Sequence, residues 1–188
     1  MLMAQTAGAW TLADLDRLPD DGNSYELIDG ALFVTPAPSP AHETLVAVMH
    51  VILSPYVLSE RLGLVYASRA SVRTSNGHVE PDLLVRPTPE RPPATWETAP
   101  TPLLIVEVLS TSTRRRDHEQ KREFYLRVGV PEYWIVDRWA RTIRVIAADA
   151  DDVVADAMLV WQPEGAGEAL VIDVRAYFCE ALGDCDGE

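Results

Sequence analysis

The sequence predicts an α/β fold built on a mixed sheet, and three observations carry that prediction. The run LLIVEVLS at 103–110 is apolar on both faces, as a central strand covered from two sides must be. YELIDG and ALFVT (25–35) are separated only by Asp29 and Gly30, an Asp-Gly signal for a tight antiparallel hairpin. Segments of helical and strand period intermix without strict alternation, which favours a mixed sheet over a wholly parallel one.

In chain order, Thr11 caps a short helix over LADLDRL, and Pro19 with the Asp and Gly residues after it ends that helix in a turn. The hairpin follows. Beyond the Pro-rich PAPSP at 36–40, Ser39 opens a long helix reaching Leu58, with Leu45, Val48, Met49 and Ile52 at helical spacing and a bend expected near Pro55. GLVYAS, SVRTSN and EPDLLVR (80–86) read as strands, and 87–102 as an irregular, mobile loop. After the central strand, TSTRRRDHEQKREFYLRVG is a second long helix, capped by Thr113 and stopped by Gly129. EYWIVD and TIRVIA form a further strand pair joined by RWAR, and AMLVWQ and ALVIDV are two more strands near the end.

A length of 188 residues with 47% hydrophobic and 24% charged residues allows one globular domain, or a domain plus a small appendage. The chain is too apolar for disorder and too polar for a membrane bundle. Its longest apolar stretch, LVAVMHVIL at 45–53, is interrupted by His50 and falls short of the ~20 residues of a bilayer span. The first ten residues carry neither a basic leader nor a long apolar segment, so a cytoplasmic location is expected. Cys179 and Cys185 lack metal-ligand spacing and are expected to be reduced thiols.

The formal charge of −13 argues against a nucleic-acid partner, because phosphate binding is driven by basic residues. Its distribution weakens that argument. From Asp149 to Glu188 there are 11 acids and one base, whereas 1–148 carries 18 acids and 15 bases. We therefore divide the chain into a domain over 1–148 and an acidic C-terminal extension over 149–188 with short strands packed on that domain. Between Ser110 and Arg144 nine bases face five acids, a run that is either a basic patch or a solvated helix face of alternating charges.

Three strands each carry one embedded acid: Glu26, Asp82 and Glu107. A carboxylate inside a covered strand costs several kcal/mol unless it is paired or binds a cation. Converging carboxylates suit a hard divalent ion, Mg²⁺ or Mn²⁺. Each acid alone also has a plainer reading, as an ion-pair partner or a strand-edge residue. Lys121 is the sole lysine beside fifteen arginines. An ammonium is a compact charge with a movable pKa, which a guanidinium is not. Helical side chains lean toward the amino end, so Lys121 is placed to point back toward the strand holding Glu107. Asp117, Lys121 and Tyr125 share one helix face, and a surface pair of Asp117 with Lys121 is the competing reading. His42 and Glu43 do not form a zinc-protease HExxH motif, and His42 reads as a helix-surface or core residue. Tyr133 and Trp134 read as core.

YELIDG at 25–30, EPDLLV at 80–85, IVEVLSTSTRRRDHEQKREFY at 105–125 and GVPEYWIVD at 129–137 resemble the Uma-type restriction endonuclease family of the PD-(D/E)XK nuclease superfamily. The resemblance covers roughly residues 10–148. It implies a restriction-endonuclease-like αβββαβ core with a mixed central sheet flanked by helices, plus C-terminal β additions. It implies that Asp82 and Glu107 are the metal-binding acids and Glu26 an additional acid, with Pro81–Asp82 supplying the literal PD. The superfamily's lysine usually stands two residues after the second acid, where this chain has Leu109; Lys121, on the following helix, matches a migrated lysine. The implied activity is Mg²⁺- or Mn²⁺-dependent hydrolysis of DNA phosphodiesters, with Lys121 assisting the attacking water and Arg114, Arg115 and Arg116 steering backbone phosphates. A homodimer is an attendant expectation, because two-fold symmetry suits cutting a duplex. Two other readings stand beside this one: a nuclease-fold binding or regulatory module without catalysis, and a metal-dependent phosphoesterase acting on a small substrate.

Overall fold

The computed structural model describes residues 9–67, 69–89, 91, 93–111 and 114–183. Its spine is a six-stranded sheet ordered β10-β9-β8-β7-β6-β3, in which β7 (Leu104–Val108) and β8 (Glu132–Asp137) are parallel and all other neighbours antiparallel. The remaining strands of this sheet are β3 (Leu64–Ala67), β6 (Leu83–Arg86), β9 (Thr142–Ala147) and β10 (Val153–Ala155). The expected mixed α/β architecture is present, and alternation along β7 explains its doubly apolar sequence. Leu104, Val106 and Val108 enter one core, while Ile105 and Leu109 enter the other. Glu107 therefore stands on the Ile105 face.

The first core is closed by helix α2 (Pro40–Ser59), helix α5 (Val174–Leu182) and the hairpin of β11 (Met158–Trp161) and β12 (Leu170–Asp173). Ser39 caps α2 by accepting from the His42 amide, and Pro40 at the first position needs no amide partner. The helix buries Leu45, Val46, Met49, Leu53 and Val57 and runs through Pro55 to Ser59. At 20 residues it is, by length and composition, long and apolar enough to cross a membrane, which corrects the shorter estimate from 45–53 alone.

The second core lies under a four-stranded antiparallel sheet, β2-β1-β5-β4, and helix α4 (Arg122–Val128). Here β1 (Ser24–Ile28) and β2 (Ala31–Thr35) form the expected hairpin, with Ser24 opposite Thr35 and Ile28 opposite Ala31. Asp29 and Gly30 both take positive φ, at 49° and 79°, as a two-residue turn of this hand requires. The strands β4 (Val72–Arg73) and β5 (His78–Val79) are only two residues long. Asp82 precedes β6 and so lies at the start of a strand, not inside one.

Helix α1 (Leu12–Leu15) has the capping box of Thr11 with Asp14 and stops short of Leu18. The loop after β6 is not wholly irregular: a 3-10 turn at Trp96–Thr98 sets Trp96 against the Arg86 guanidinium and the Tyr66 ring. The second long helix is interrupted. It begins as α3 (Arg114–Arg116), widens into a π turn over Asp117–Lys121, and resumes as α4 to the left-handed Gly129. Thr113, expected to cap it, lies outside the described residues.

In the acidic segment, β10 pairs with β9 as the edge of the large sheet. Helix α5 was not anticipated; Asp173, read as a strand residue, caps it by accepting from the Ala176 amide. Cys179 is disulfide-bonded, which corrects the expectation of a reduced thiol there, and Cys185 lies outside the described residues.

Candidate active site

A cavity of about 480 Å³ opens where β1, the start of α2, the start of β6, the end of β7 and the π turn meet. Glu26, His42, Asp82, Glu107, Lys121, Arg116 and Arg138 all line it. The sequence supplies one polar residue per element, and the fold brings them to one place.

Lys121 is the hub. Its Nζ is 2.6 Å from Glu107 Oε1, 3.0 Å from Glu26 Oε1 and 3.9 Å from Asp117 Oδ1, and the residue is 2% exposed. Burial alone would lower its pKa, but Glu107 and Glu26 outweigh burial and hold it above the usual lysine range, so it stays an ammonium. Glu107 Oε1 also accepts from the Tyr125 hydroxyl at 2.7 Å, which leaves Oε2 outside both contacts. Burial pushes the Glu107 carboxyl up to about 8; Lys121 opposes the rise, while Asp82, Asp117 and Glu26 add to it. Tyr125 is fully buried and titrates well above the usual phenol range, so it is a neutral donor.

The π turn is what faces Asp117, Lys121 and Tyr125 inward together, with exposures of 1%, 2% and 0%. The hydroxyl of Tyr133, on β8, donates to the Asp117 carbonyl at 3.1 Å and so supplies a partner to the widened turn. The sequence reading places these three residues on one face, and the structure rejects their reading as a surface pair.

Asp82 Oδ2 accepts from the Val108 amide at 2.7 Å and lies 3.1 Å from His42 Nε2, leaving Oδ1 outside both contacts. The residue after Glu107 thus anchors Asp82, tying the two acids through one backbone step. Burial works against protonation of His42, but the Asp82 hydrogen bond and the charges of Asp82, Glu107 and Glu43 hold its pKa above the ordinary value. His42 was missed as a site residue. The available signal was the fixed helix start at Ser39–Pro40, which places the His42 side chain beside the first turn.

Glu26 differs from its expected role as a further metal or water ligand. Oε1 is taken by Lys121 and by the Glu80 amide at 3.0 Å, and Oε2 faces Arg116 Nη1 at 3.1 Å. Its geometry suits holding Lys121. The three arginines do not form one steering patch either. Arg116 is buried, 3.1 Å from both Glu26 Oε2 and Thr35 Oγ1. Arg115 is solvent-exposed and paired with Glu119, and Arg114 is paired with Asp137.

The sequence model of the Uma2 family, described as "Putative restriction endonuclease", matches residues 12–174. The chain belongs to the Uma2 family. The match runs past residue 148, where the sequence resemblance was placed, and takes in β10, β11 and β12. Among solved structures, the chain is similar to one described as a putative nuclease belonging to DUF820 from Anabaena variabilis ATCC 29413. The TM-score is 0.77 at 19% identity, over 92% of this chain and 99% of that one, which establishes a shared fold. No curated protein matches. The Uma2 fold thus places the polar cluster at the meeting of its two sheets and the interrupted helix.

Proposed function

We propose that this Uma2 protein is a divalent-metal-dependent endonuclease that hydrolyses DNA phosphodiesters, with Asp82 and Glu107 as the ligands of Mg²⁺ or Mn²⁺. The observation that carries the reading is a charge imbalance. Glu26, Asp82, Glu107 and Asp117 stand against only two permanent cations, Arg116 and Lys121, in a largely buried cluster. Two negative charges are left over, a number that one divalent ion cancels. Asp82 Oδ1 and Glu107 Oε2 are the hard oxygen donors still available to it. Among the described residues no three His, Cys, Asp or Glu side chains are placed to hold a metal. Two carboxylates suit Mg²⁺, which keeps several waters and takes substrate oxygens as ligands.

When bound, such an ion supplies electrophilic stabilisation of the phosphate and makes water acidic enough to attack it. The protein residues supply the rest. Lys121 presents a fixed ammonium against the charge that builds on the phosphate oxygens in the transition state. Tyr125 and Glu26 hold that ammonium and the Glu107 carboxylate in place, while His42 and the Val108 amide fix which oxygen Asp82 offers.

Plasmid and single-stranded DNA incubated with Mg²⁺ or Mn²⁺ test the proposal, comparing wild type with Glu107→Ala and Lys121→Ala after thermal melting confirms folding. Cleavage by wild type alone supports it; equal cleavage by all three proteins overturns it. A second reading, a phosphoesterase for a small phosphorylated substrate, is favoured by the cavity volume of about 480 Å³, which lies within the range of small-molecule sites. Metal binding by calorimetry with hydrolysis of a small phosphate ester and no DNA cleavage would select it.

A further inference from the structure

We infer that Arg138, presented by Trp139 at the cavity mouth, is the residue that grips the DNA backbone phosphate beside the scissile one. The inference rests on the nuclease reading above and names the substrate contact that reading lacks. Once Arg116 is seen to be buried in the acid cluster and Arg115 to be paired away from the cavity, the expected phosphate contacts have no surface cation behind them.

The four-residue turn between β8 and β9 fills that gap. Asp137 Oδ1 accepts from the amides of Trp139 and Ala140, at 3.0 and 3.1 Å, which pins the turn. Trp139 is 45% exposed, and two guanidinium groups lie over its ring, Arg138 at 4.5 Å and Arg114 at 5.2 Å from the ring centre. They differ in charge state. Arg114 is neutralised by Asp137 at 3.0 Å, whereas no carboxylate is in ion-pair range of Arg138 among the described residues. Arg138 also lines the cavity with Asp82, Glu107 and Lys121.

A guanidinium stacked on an indole keeps its N–H donors in the ring plane, directed outward and free for a phosphate oxygen pair. Stacking also removes the rotamer freedom that a long surface side chain would otherwise lose on binding. The pairing of a pinned turn, an exposed indole and an unneutralised arginine at the mouth of an acid-rich cavity provides the positive charge that a polyanion needs on approach. Contacts of this kind position the strand and carry no sequence information.

The test is fluorescence anisotropy of a cleavage-resistant phosphorothioate DNA duplex with the full chain in Mn²⁺, titrated across salt concentrations. For wild type, log K is expected to fall linearly with log salt. Arg138→Ala should make that slope shallower by about 0.9, the loss of one phosphate contact. Arg138→Lys should restore the slope in part, and Arg115→Ala should leave it unchanged. Trp139→Phe should behave as wild type and Trp139→Ala as Arg138→Ala. An unchanged slope in Arg138→Ala overturns the assignment while leaving the nuclease reading intact. A Trp139→Ala variant that weakens binding at constant slope also overturns it, in favour of base stacking on the indole. Wild type that shows no salt-dependent DNA binding overturns both.

Discussion

Glu107→Gln is expected to stabilise the metal-free protein at alkaline pH while weakening its hold on a divalent cation. Burial, opposed by Lys121 and reinforced by Asp82, Asp117 and Glu26, raises the Glu107 carboxyl from 4.5 to about 8. In the unfolded chain the group titrates near its ordinary value. Between those two values the native state holds a proton that the unfolded chain has released. Stability from this group is therefore fully present below about pH 4.5 and falls as pH rises through about 8. At about 1.36 kcal/mol per unit, the span is on the order of 4–5 kcal/mol. Glutamine keeps the shape and an acceptor for Tyr125 but carries no charge, and Glu26 still faces Lys121 at 3.0 Å. Urea unfolding in EDTA, from about pH 5 to about pH 9, should give wild-type and variant curves that converge at the acid end and separate toward the alkaline end, with the variant the more stable. Parallel curves, or a variant less stable throughout, would refute the charge-excess argument on which the metal reading stands.

The other predictions concern the same cluster and its frame. Lys121→Met leaves Glu26 and Glu107 facing each other without their shared cation, and the melting temperature should drop by the equivalent of about 3–5 kcal/mol. His42→Ala frees Asp82 from one of its two anchors; Mn²⁺ affinity by calorimetry should fall about 10–100-fold, with little change in the circular dichroism spectrum. Gly63→Ala should cost about 1–3 kcal/mol or more in chemical unfolding, because φ is +138° there and a Cβ would collide with the Arg86 carbonyl.

Much of the site is legible before any fold is known, for a definite reason. Glu107 stands out because a doubly covered strand tolerates no acid by chance, and Lys121 because it is the one lysine among fifteen arginines. Their meeting follows from the lean of helical side chains and the short link from β7 to the helix. Asp82 is less legible: its strand begins one residue later, so it is anchored by the Val108 amide instead of being embedded. His42 and Arg116 escape because a lone histidine near a helix start and one arginine of three look like surface residues. Only tertiary packing sets them against Asp82 and Glu26. The π turn has no composition signal, since it depends on the Tyr133 hydroxyl reaching the Asp117 carbonyl from another strand. Helix α5 hides behind Asp173, which ends a strand and caps a helix at once.

The wide turn at 117–121 makes half of this centre a matter of counting. Excise one residue there and the turn relaxes to ordinary helical pitch. Everything downstream then revolves by about 100° about the axis, carrying the Tyr125 hydroxyl off Glu107 while Arg116 stays where it was. Point substitutions erode the cluster one charge at a time and are reversible, whereas a lost residue throws the whole segment out of phase. Among genomic copies of this protein, a single-codon gap in that stretch should mark the ones that have ceased to work, even where every acid and the lysine survive.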